Sequence, residues 1–467
     1  MIPILKSHPS SLEQAPTPSP YAQVQLFIAQ RRTTLLLRRF ALRLCLASAL
    51  AAVTSPALFA ATHCVNQSGS HGCFTTISAA VAAAAPNDTI QVSEGTYKED
   101  VIIPKPLALV GQNRENTTID ATGLSNGINV DGQNNSGLSH VVIRGFTVEN
   151  ANFSGILVAN TSAVTISSNI VRGNDRNLSG AVCPDLPSQF VPADNLDCGE
   201  GIHLSGVDHS TIINNLVERN AGGILVTDDT GATHDNVISG NIVKNNVPDC
   251  GITLPSHSGA GVFHNTVSGN FVAENGGAGV GIFAPGPGTQ TYANVIINNS
   301  LTGNGQPGVT VHNHAAPGVN GVPSAAPPVV FSDNVIAGNR IWRNKQDTQD
   351  AATSGPTGIN LFSLVPMPGT IIADNVIFQE ALDIALNVPA ASGATDIQVH
   401  LNDLLKPVGL ENNGTAAVDA TENWWGCPAG PGRPGCSTIT GSGGVLFQPW
   451  LSRPNRSEQH DGHNHED

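Results

Sequence analysis

Residues 236–246, NVISGNIVKNN, place asparagines at positions 236, 241 and 246, five apart, with short aliphatic runs between them. Two earlier stretches, NIVRGN at 169–174 and NLVERN at 215–220, keep two of the three asparagines. The full triplet recurs at 265, 270 and 275, at 294, 299 and 304, and at 334, 339 and 344. One unit is therefore repeated, and because consecutive copies start 29, 29 and 40 residues apart, the unit tolerates insertions.

A glycine followed by a β-branched residue comes after most copies and divides each unit into three short strands. These pairs are Gly201-Ile202, Gly223-Ile224, Gly251-Ile252, Gly281-Ile282, Gly308-Val309 and Gly358-Ile359. Such short strands cannot bury a face alone, so each must pair in parallel with its equivalent one coil away, at about 4.8 Å. Asparagine suits the corners, because it tolerates left-handed backbone and its amide can donate and accept along a stacked column. The repeat predicts an all-β parallel β-helix of roughly ten coils.

Two other repeat architectures do not match this pattern. A propeller blade needs four strands in about 40 residues, and a left-handed β-helix has a hexapeptide period. Charge also restricts the partners, since the 467-residue chain has a formal net charge of −15 and only 21 Lys and Arg residues. Binding to nucleic-acid phosphates or acidic membrane surfaces needs clustered basic residues, so we expect neither partner.

The N-terminal region has the layout of a secretory signal. Five arginines precede the apolar run LCLASALAAVTSPALFA at 44–60. We expect cleavage near Ala60 or Ala61 and a secreted, periplasmic or cell-envelope protein without stable membrane insertion. A single membrane anchor is the alternative, although the run is shorter than the about 20 apolar residues of a span and contains Ser, Thr and Pro.

Six cysteines of the expected mature chain form three local pairs, which favours disulfides in an oxidising compartment. Cys250 is left over, and metal binding is the alternative, although no cysteine has zinc-finger spacing. The pairs are Cys64 with Cys73, Cys183 with Cys198, and Cys427 with Cys436.

Both ends of the repeat carry recognisable segments. Residues 74–123 predict a small helix, then GTYKE at 95–99, then a strand that ends in LVG. The other end contains NWWGCPAGPGRPGC and QPWL within 423–451. Over about residues 74–450 the chain resembles the right-handed parallel β-helix proteins of the pectin-lyase-like superfamily.

The resemblance implies a right-handed solenoid with a capped N-terminal end and a capped C-terminal end. Ile77 and Val81, four apart on the predicted helix, are expected to cover the first coil, which would otherwise be an edge that aggregates. A Trp-rich cap of Trp424, Trp425 and Trp450 is expected to cover the last, with sugar binding by these rings as the alternative. The expected divisions are a signal or targeting segment at 1–60, the β-helix at 61–423, the cap at 424–451, and a disordered His-containing tail at 452–467.

Two activities of this superfamily lack their motifs here. GTYKE matches the G-x-Y-x-E stretch of pectin methylesterases, in which it is mainly structural, but the esterase site motifs are missing; NKQDTQD at 344–350 shares only letters with one of them. This argues against methylesterase activity. Nor does the chain show the clustered aspartates with a nearby Arg or Lys that calcium-dependent pectate lyases use to neutralise a uronate and remove its α-proton.

Alignment of the coils on the glycine pairs gives a candidate catalytic pair. Six residues after the glycine, Val207, Asp229, His257 and His314 share one column. Asp229 and His257 would then be neighbours on consecutive coils, where a carboxylate can orient an imidazole for general-base work. We predict His257 as base or acid and Asp229 as its partner. The predicted substrate-binding residues are His203, Asp228 and His314.

The surroundings of this column favour a site. The insertion 175–200 enters before Gly201, and the loop 312–330 follows His312, so both could wall a groove. The alternative is that these Asp and His residues are ordinary turn residues. Residues Arg172, Glu218 and Lys244 share one strand position and are expected to form a surface charge ladder.

Two functional hypotheses follow. The first is an exported enzyme that acts on an extracellular polysaccharide as a lyase, hydrolase or epimerase, a substrate class implied by the resemblance. The second is a non-catalytic secreted or envelope protein that binds glycans or surfaces. We expect a monomer without cofactor or catalytic metal; His460, His463 and His465 could bind a metal, but such a terminal tail is usually disordered.

Overall fold

The computed structural model of the chain describes residues 60–175, 200–349, 351–391, 396–405 and 407–455. Within these ranges the strands form three sheets of 14, 11 and 15 strands, here called sheets 1, 2 and 3. A typical coil contributes Thr211–Ile213 to sheet 1, Leu216–Glu218 to sheet 2 and Ile224–Thr227 to sheet 3. Each pairs in parallel with its equivalent in the next coil. The predicted all-β parallel β-helix is confirmed.

Sheet 1 consists of Thr62–Val65, Thr89–Val92, Ala108–Gly111, Val142–Arg144, Thr165–Ser167, Thr211–Ile213, Val237–Ser239, Thr266–Ser268, Val295–Ile297, Val335–Ala337, Thr370–Ala373, Ile397–His400, Val418–Asp419 and Val445–Leu446. Sheet 2 consists of Gly95–Tyr97, Thr117–Asp120, Thr147–Glu149, Ile170–Arg172, Leu216–Glu218, Ile242–Lys244, Phe271–Ala273, Ser300–Thr302, Arg340–Trp342, Val376–Phe378 and Asp403–Leu404. Sheet 3 consists of Val101–Ile103, Ile128–Asp131, Ile156–Ser162, Ile202–Asp208, Ile224–Thr227, Thr233–His234, Ile252–Pro255, Val262–Phe263, Val280–Phe283, Thr291–Tyr292, Val309–His312, Thr357–Phe362, Leu382–Asn387, Val408–Asn412 and Thr438–Thr440.

The repeated asparagines lie at the three corners of the coil and form three buried ladders along the axis. In a typical step, Oδ1 of Asn270 accepts hydrogen bonds from the backbone N (2.9 Å) and Nδ2 (3.0 Å) of Asn241. Its own Nδ2 donates to the carbonyl of Ile238 at 3.0 Å. The first ladder contains Asn236, Asn265, Asn294 and Asn334; the second Asn169, Asn215, Asn241, Asn270, Asn299, Asn339, Asn375, Asn402 and Asn423; the third Asn174, Asn220, Asn246, Asn275, Asn304 and Asn344.

The third ladder ends on a carboxyl group instead of an amide. Oε1 of Glu380 accepts from both the backbone N and Nδ2 of Asn344, each at 3.0 Å. Glu380 is 5% exposed, and its Oε2 is buried without a hydrogen-bond partner among the described residues. Burial raises the pKa of Glu380 to about 7.

The coil interior is an aliphatic column. In sheet 1, Ile212, Ile238 and Val267 stack with no exposed surface. Each such side chain contributes roughly 1.5–3 kcal/mol through burial. The glycines that precede sheet 3 are required by close approach: a Cβ on Gly223 would lie 2.1 Å from the carbonyl oxygen of Gly251.

The structure corrects one of the predicted glycine pairs. In sheet 3, Ile252 pairs with Val280, and Val280 pairs with Val309. The equivalent glycine is therefore Gly279, and the predicted pair Gly281-Ile282 is wrong by two residues. A shift of two keeps the same side chains on the inner face, so alternation cannot distinguish the two registers.

The helix Ile77–Ala83 packs at the start of the solenoid, and its side chains Ile77 and Val81 are buried. Glu99, the last residue of GTYKE, caps it: its carboxylate accepts from the backbone N of Ile77 and of Ser78, each at 2.8 Å. Tyr97 is buried and donates to the carbonyl of Ser93 at 3.0 Å. The GTYKE segment is thus a structural element in this chain.

At the other end, Trp424 and Trp425 are buried, and Trp450 packs against the core while its Nε1 donates to the carbonyl of Pro428 at 3.1 Å. Two of the predicted disulfides are present, Cys64–Cys73 and Cys427–Cys436. The predicted pair of Cys183 and Cys198, the signal segment and the three tail histidines lie outside the described residues.

Cys250 is a free, buried thiol whose Sγ accepts from the backbone N of Ala278 at 3.2 Å. None of the helices in the described ranges combines the length and apolar character that a bilayer crossing requires.

Candidate active site

The corner that follows sheet 3 brings together the two residues predicted as neighbours. Because Ile224 pairs with Ile252 in register, the residues after these two strands stack as well. The side chains of Asp229 and His257 meet there, with His257 Nδ1 2.9 Å from Asp229 Oδ1. A carboxylate only accepts, so Nδ1 is the donor, and Nε2 is the basic nitrogen of the neutral ring.

Asp229 is held beneath His257 by a second set of contacts. Its side chain is fully buried, and its Oδ2 accepts from the hydroxyl of Thr227. That hydroxyl in turn lies 3.1 Å from His203 Nε2, which itself is 4.0 Å from Asp229 Oδ2. Since the Thr227 proton is directed at Asp229, His203 Nε2 is the donor to the Thr227 oxygen. The four residues form one connected buried network that ends at His257.

Asp228, predicted to bind substrate, holds the loop that carries His257. Its Oδ1 accepts from the backbone N of His257 (2.6 Å) and of Ser258 (3.0 Å). Its Oδ2 accepts from Ser256 Oγ (2.8 Å) and from the backbone N of Gly261 (2.7 Å). Asp228 has no exposed surface, so direct contact with a substrate would require this loop to open.

His203 is likewise fully buried, at the inner end of the network. The sequence predicts that His203 binds substrate; in the structure its Nε2 contacts Thr227 and Asp229. Thr227, which the sequence analysis did not single out, links His203 to Asp229. A hydroxyl at the end of a strand, two residues before a candidate carboxylate, is the signal that could have identified it.

His257 lines an open depression of ≈ 490 Å³. The lining also includes Ser258 and Gly259 of its own loop, residues 287–290 of the next coil, and Pro327, Pro328 and Val330. The side chain of His257 is 9% exposed. Among the described residues that line this depression, His257 is the ionisable side chain.

The structure places one of the two predicted loops beside this depression. The segment 312–330 supplies Pro327, Pro328 and Val330 of the lining. Residues 176–199 of the other insertion lie outside the described residues.

The predicted column is otherwise only partly formed. Val207 does not pair with Asp229: its backbone N donates to Thr233 Oγ1 at 3.1 Å, and the next residue, Asp208, pairs with His234. The loop 228–232 therefore bulges out between these two coils.

His314 lies three coils beyond Asp229. Its ring stacks on Phe362, with 5.6 Å between centroids, and lies 5.4 Å from the ring of His312. It does not belong to the lining of the depression.

His312 was passed over as a candidate, but it lies in a strongly desolvating environment. It is 3% exposed and hydrogen-bonds to Thr310 Oγ1. Burial, with a smaller contribution from the charge of His314, lowers the pKa of His312 to about 3. Its ring is therefore neutral at physiological pH, and its 3.8 Å approach to Asp347 is not a charged pair.

The sequence and the architecture can now be compared with known proteins. A family model described as "Right handed beta helix region" matches residues 110–296. The solved structure of the Dettilon tailspike protein is similar with a TM-score of 0.50 and 14% identity, over 78% of this chain and 65% of that one. The chain has a right-handed parallel β-helix fold.

Two further solved structures resemble this β-helix in fold. One is an alginate lyase from Paenibacillus sp. str. FPU-7, with a TM-score of 0.44 and 14% identity over 69% of this chain and 97% of that one. The other is the A-module of a mannuronan C-5 epimerase from Azotobacter vinelandii, with a TM-score of 0.44 and 15% identity over 81% and 94%. No curated protein matches the sequence.

The outer face of sheet 2 of the β-helix carries the predicted charge ladder. Arg172, Glu218 and Lys244 pair in register on consecutive coils. Arg172 Nε lies 2.8 Å from Glu149 Oε2, and Lys244 Nζ lies 3.5 Å from Glu218 Oε2. These are partly exposed ion pairs, each worth about 0–1 kcal/mol.

Proposed function

We propose that this β-helix protein is an exported enzyme that acts on an extracellular polysaccharide, with His257 as the residue that takes the proton. The proposal rests above all on one observation: His257 lines an open depression while its Nδ1 is hydrogen-bonded, at 2.9 Å, to a fully buried aspartate. The polysaccharide class follows from the resemblance of the sequence to the pectin-lyase-like superfamily.

The arrangement suits general-base chemistry. Asp229 fixes the tautomer and the plane of the His257 ring, and its negative charge stabilises the imidazolium that forms when Nε2 accepts a proton. Thr227 and His203 hold Asp229, and Asp228 holds the backbone of His257, so the base is fixed before substrate binds. The network therefore supplies both the proton acceptor and its orientation.

Within the described part of the chain, the lining supplies one ionisable side chain, His257, which favours a reaction that needs a single base. Glycoside hydrolysis uses two carboxyl groups that flank the bond. Abstraction of the proton next to a sugar carboxyl group needs one base to begin. In β-elimination the electron pair of the broken C–H bond forms a C=C double bond, the glycosidic C–O bond breaks, and the leaving oxygen takes the proton from the imidazolium of His257. In epimerisation water donates a proton to the same carbon from the other face, and the imidazolium of His257 gives its proton to the hydroxide that remains. A lyase or an epimerase is thus the proposed reaction class.

The test is an activity screen of the mature protein on polyuronates, their methyl esters and neutral glycans. Ultraviolet absorbance would detect unsaturated ends, deuterium uptake from heavy water would detect epimerisation, and a reducing-sugar assay would detect hydrolysis. We expect His257→Ala and Asp229→Asn each to lower kcat by about 10²–10⁴ without loss of the fold, the range typical of a general base. His140→Asn, an exposed histidine on another coil, is the matched control.

Three results would contradict the proposal. Product formation that is unchanged in the double variant His257→Ala, Asp229→Ala would show that these two residues are not catalytic. New reducing ends without unsaturation or deuterium uptake would favour hydrolysis. Binding to a glycan with no product on any substrate would favour the non-catalytic alternative.

A further inference from the structure

A second group of histidines and aspartates lies on the surface, where sheet 3 meets the first ladder. Two consecutive coils carry the dipeptides Asp208-His209 and His234-Asp235. Because Asp208 pairs with His234, and the backbone N of His209 donates to the carbonyl of His234 at 3.3 Å, the four side chains form a square. Histidine and aspartate alternate around it.

The side chains of this square are partly exposed, and their potential metal-ligand atoms lie close to one another. The side chains of His209, His234 and Asp235 are 45%, 28% and 42% exposed. One potential ligand atom of each lies within 4.8 Å of the other two. His209 Nδ1 is 2.5 Å from Asp208 Oδ1, and His234 Nδ1 is 3.0 Å from Asp235 Oδ2. The rings of the two histidines are edge to face, with centroids 6.0 Å apart.

We propose that His209, His234 and Asp235 bind a divalent transition-metal ion of the zinc class. Two imidazole nitrogens and one carboxylate oxygen are a donor set for Zn²⁺ and its neighbours, whereas Ca²⁺ and Mg²⁺ prefer oxygen ligands alone. Ligand atoms around tetrahedral zinc are about 3.4 Å apart, given bonds of about 2.1 Å. The three side chains therefore need to close by about 1–1.5 Å; the His234 ring is held by stacking on Phe263, and the more exposed His209 and Asp235 can close on it by rotation.

The scaffold supports such a site in two ways. Parallel pairing fixes the spacing of the two coils, so the backbone atoms of the ligands are already in place. Asp208, hydrogen-bonded to His209, is positioned to orient that ring, as carboxylates near metal-bound histidines do.

The ion would join two coils at the end of the loop that carries Asp229. Thr233, next to His234, accepts from the backbone N of Val207 and donates to the carbonyl of Thr227. A metal bound by His234 and Asp235 would thus fasten the outgoing end of the 228–232 loop. We expect bound metal to raise the melting temperature of the protein whether or not the proposed catalysis is correct.

The experiment uses the full chain with His460, His463 and His465 changed to Ala, so that the tail cannot contribute. Calorimetric titration with Zn²⁺ should show one site per chain. Co²⁺ should give the visible absorption of a four-coordinate nitrogen and oxygen site. In the same background, His209→Asn with His234→Gln should weaken Zn²⁺ binding at least 100-fold, and Asp235→Asn about tenfold.

Asparagine is chosen at 209 and 235 because these residues have φ of 51° and 55°, a left-handed conformation that asparagine tolerates. His140→Asn is the matched control and should leave Zn²⁺ binding unchanged. His140 has the same left-handed conformation, with φ of 60°, but the equivalent residue on the next coil is Ala163, which cannot bind a metal. Zn²⁺ affinity that is equal in the double variant and its parent, or no binding by the parent at micromolar Zn²⁺, would overturn the proposal.

Discussion

Replacing Glu380 by Gln should change how the stability of the β-helix depends on pH. Glu380 ends the third ladder, where its Oε1 accepts two hydrogen bonds from Asn344 and its Oε2 is buried. Burial raises its pKa from the ordinary 4.5 to about 7. Between about pH 4.5 and pH 7, Glu380 is therefore protonated in the folded protein and ionised in the unfolded chain.

The sign and size of the effect follow from this difference in pKa. The stability that the protonated group contributes is fully present below about pH 4.5 and is lost as the pH rises through about 7. A difference of roughly 2.5 pKa units corresponds to about 3 kcal/mol of unfolding free energy. Gln is close in shape to the protonated carboxyl and does not titrate. We therefore expect Glu380→Gln to match the parent protein near pH 4.5 and to be more stable by up to about 3 kcal/mol at pH 8.

The assay is urea unfolding of both proteins between pH 4.5 and 8.5, compared at each pH so that other titrating groups cancel. Glu274→Gln is the control, because Glu274 is exposed and immediately precedes the ladder residue Asn275; its effect should not vary with pH. A stability difference for Glu380→Gln that is constant with pH, or that grows toward low pH, would refute the reasoning.

Three further predictions concern the scaffold. Asn270→Ala should lower the unfolding free energy by about 4 kcal/mol in urea titrations, because several buried groups lose a hydrogen-bond partner at about 1–3 kcal/mol each; the exposed Asn413 changed to Ala should cost under about 0.5 kcal/mol. Glu99→Ala should cost about 1–2 kcal/mol and raise hydrogen exchange first in the helix Ile77–Ala83, which its carboxylate caps. Burial raises the pKa of the Cys250 thiol well above its ordinary value, so iodoacetamide at pH 8.5 should leave this cysteine unmodified in peptide maps until the protein is unfolded, and rapid labelling of the native protein would contradict its burial.

The sequence was sufficient for the architecture because one residue type marks the geometry directly. Asparagine at intervals of five has few uses in β-prone sequence, and its burial at three corners matches that spacing. The adjacency of Asp229 and His257 was also accessible, because no insertion separates either residue from the glycine of its own coil. Gly281 was chosen wrongly because strand periodicity is two, and Gly279 fits the same alternation.

Burial of the network was not accessible from the sequence. His203 lies between the buried Leu157 and Leu225 in sheet 3, and nothing in the sequence of its own strand shows that its side chain is buried. The His209 and His234 pair was missed for a related reason. The two residues are 25 apart, and they become neighbours only once the register of the bulged loop is known.

The asparagine ladders also determine where the chain tolerates insertions. Within a full triplet the intervals between asparagines are always five, whereas successive members of the second ladder from Asn215 to Asn402 are 26, 29, 29, 40, 36 and 27 residues apart. All of this variation falls on either side of sheet 3. A new loop grafted at either of those two junctions, for example in place of 315–328, should leave every coil stacked, so the surface beside sheet 3 can diversify by loop exchange while the coils stay unchanged.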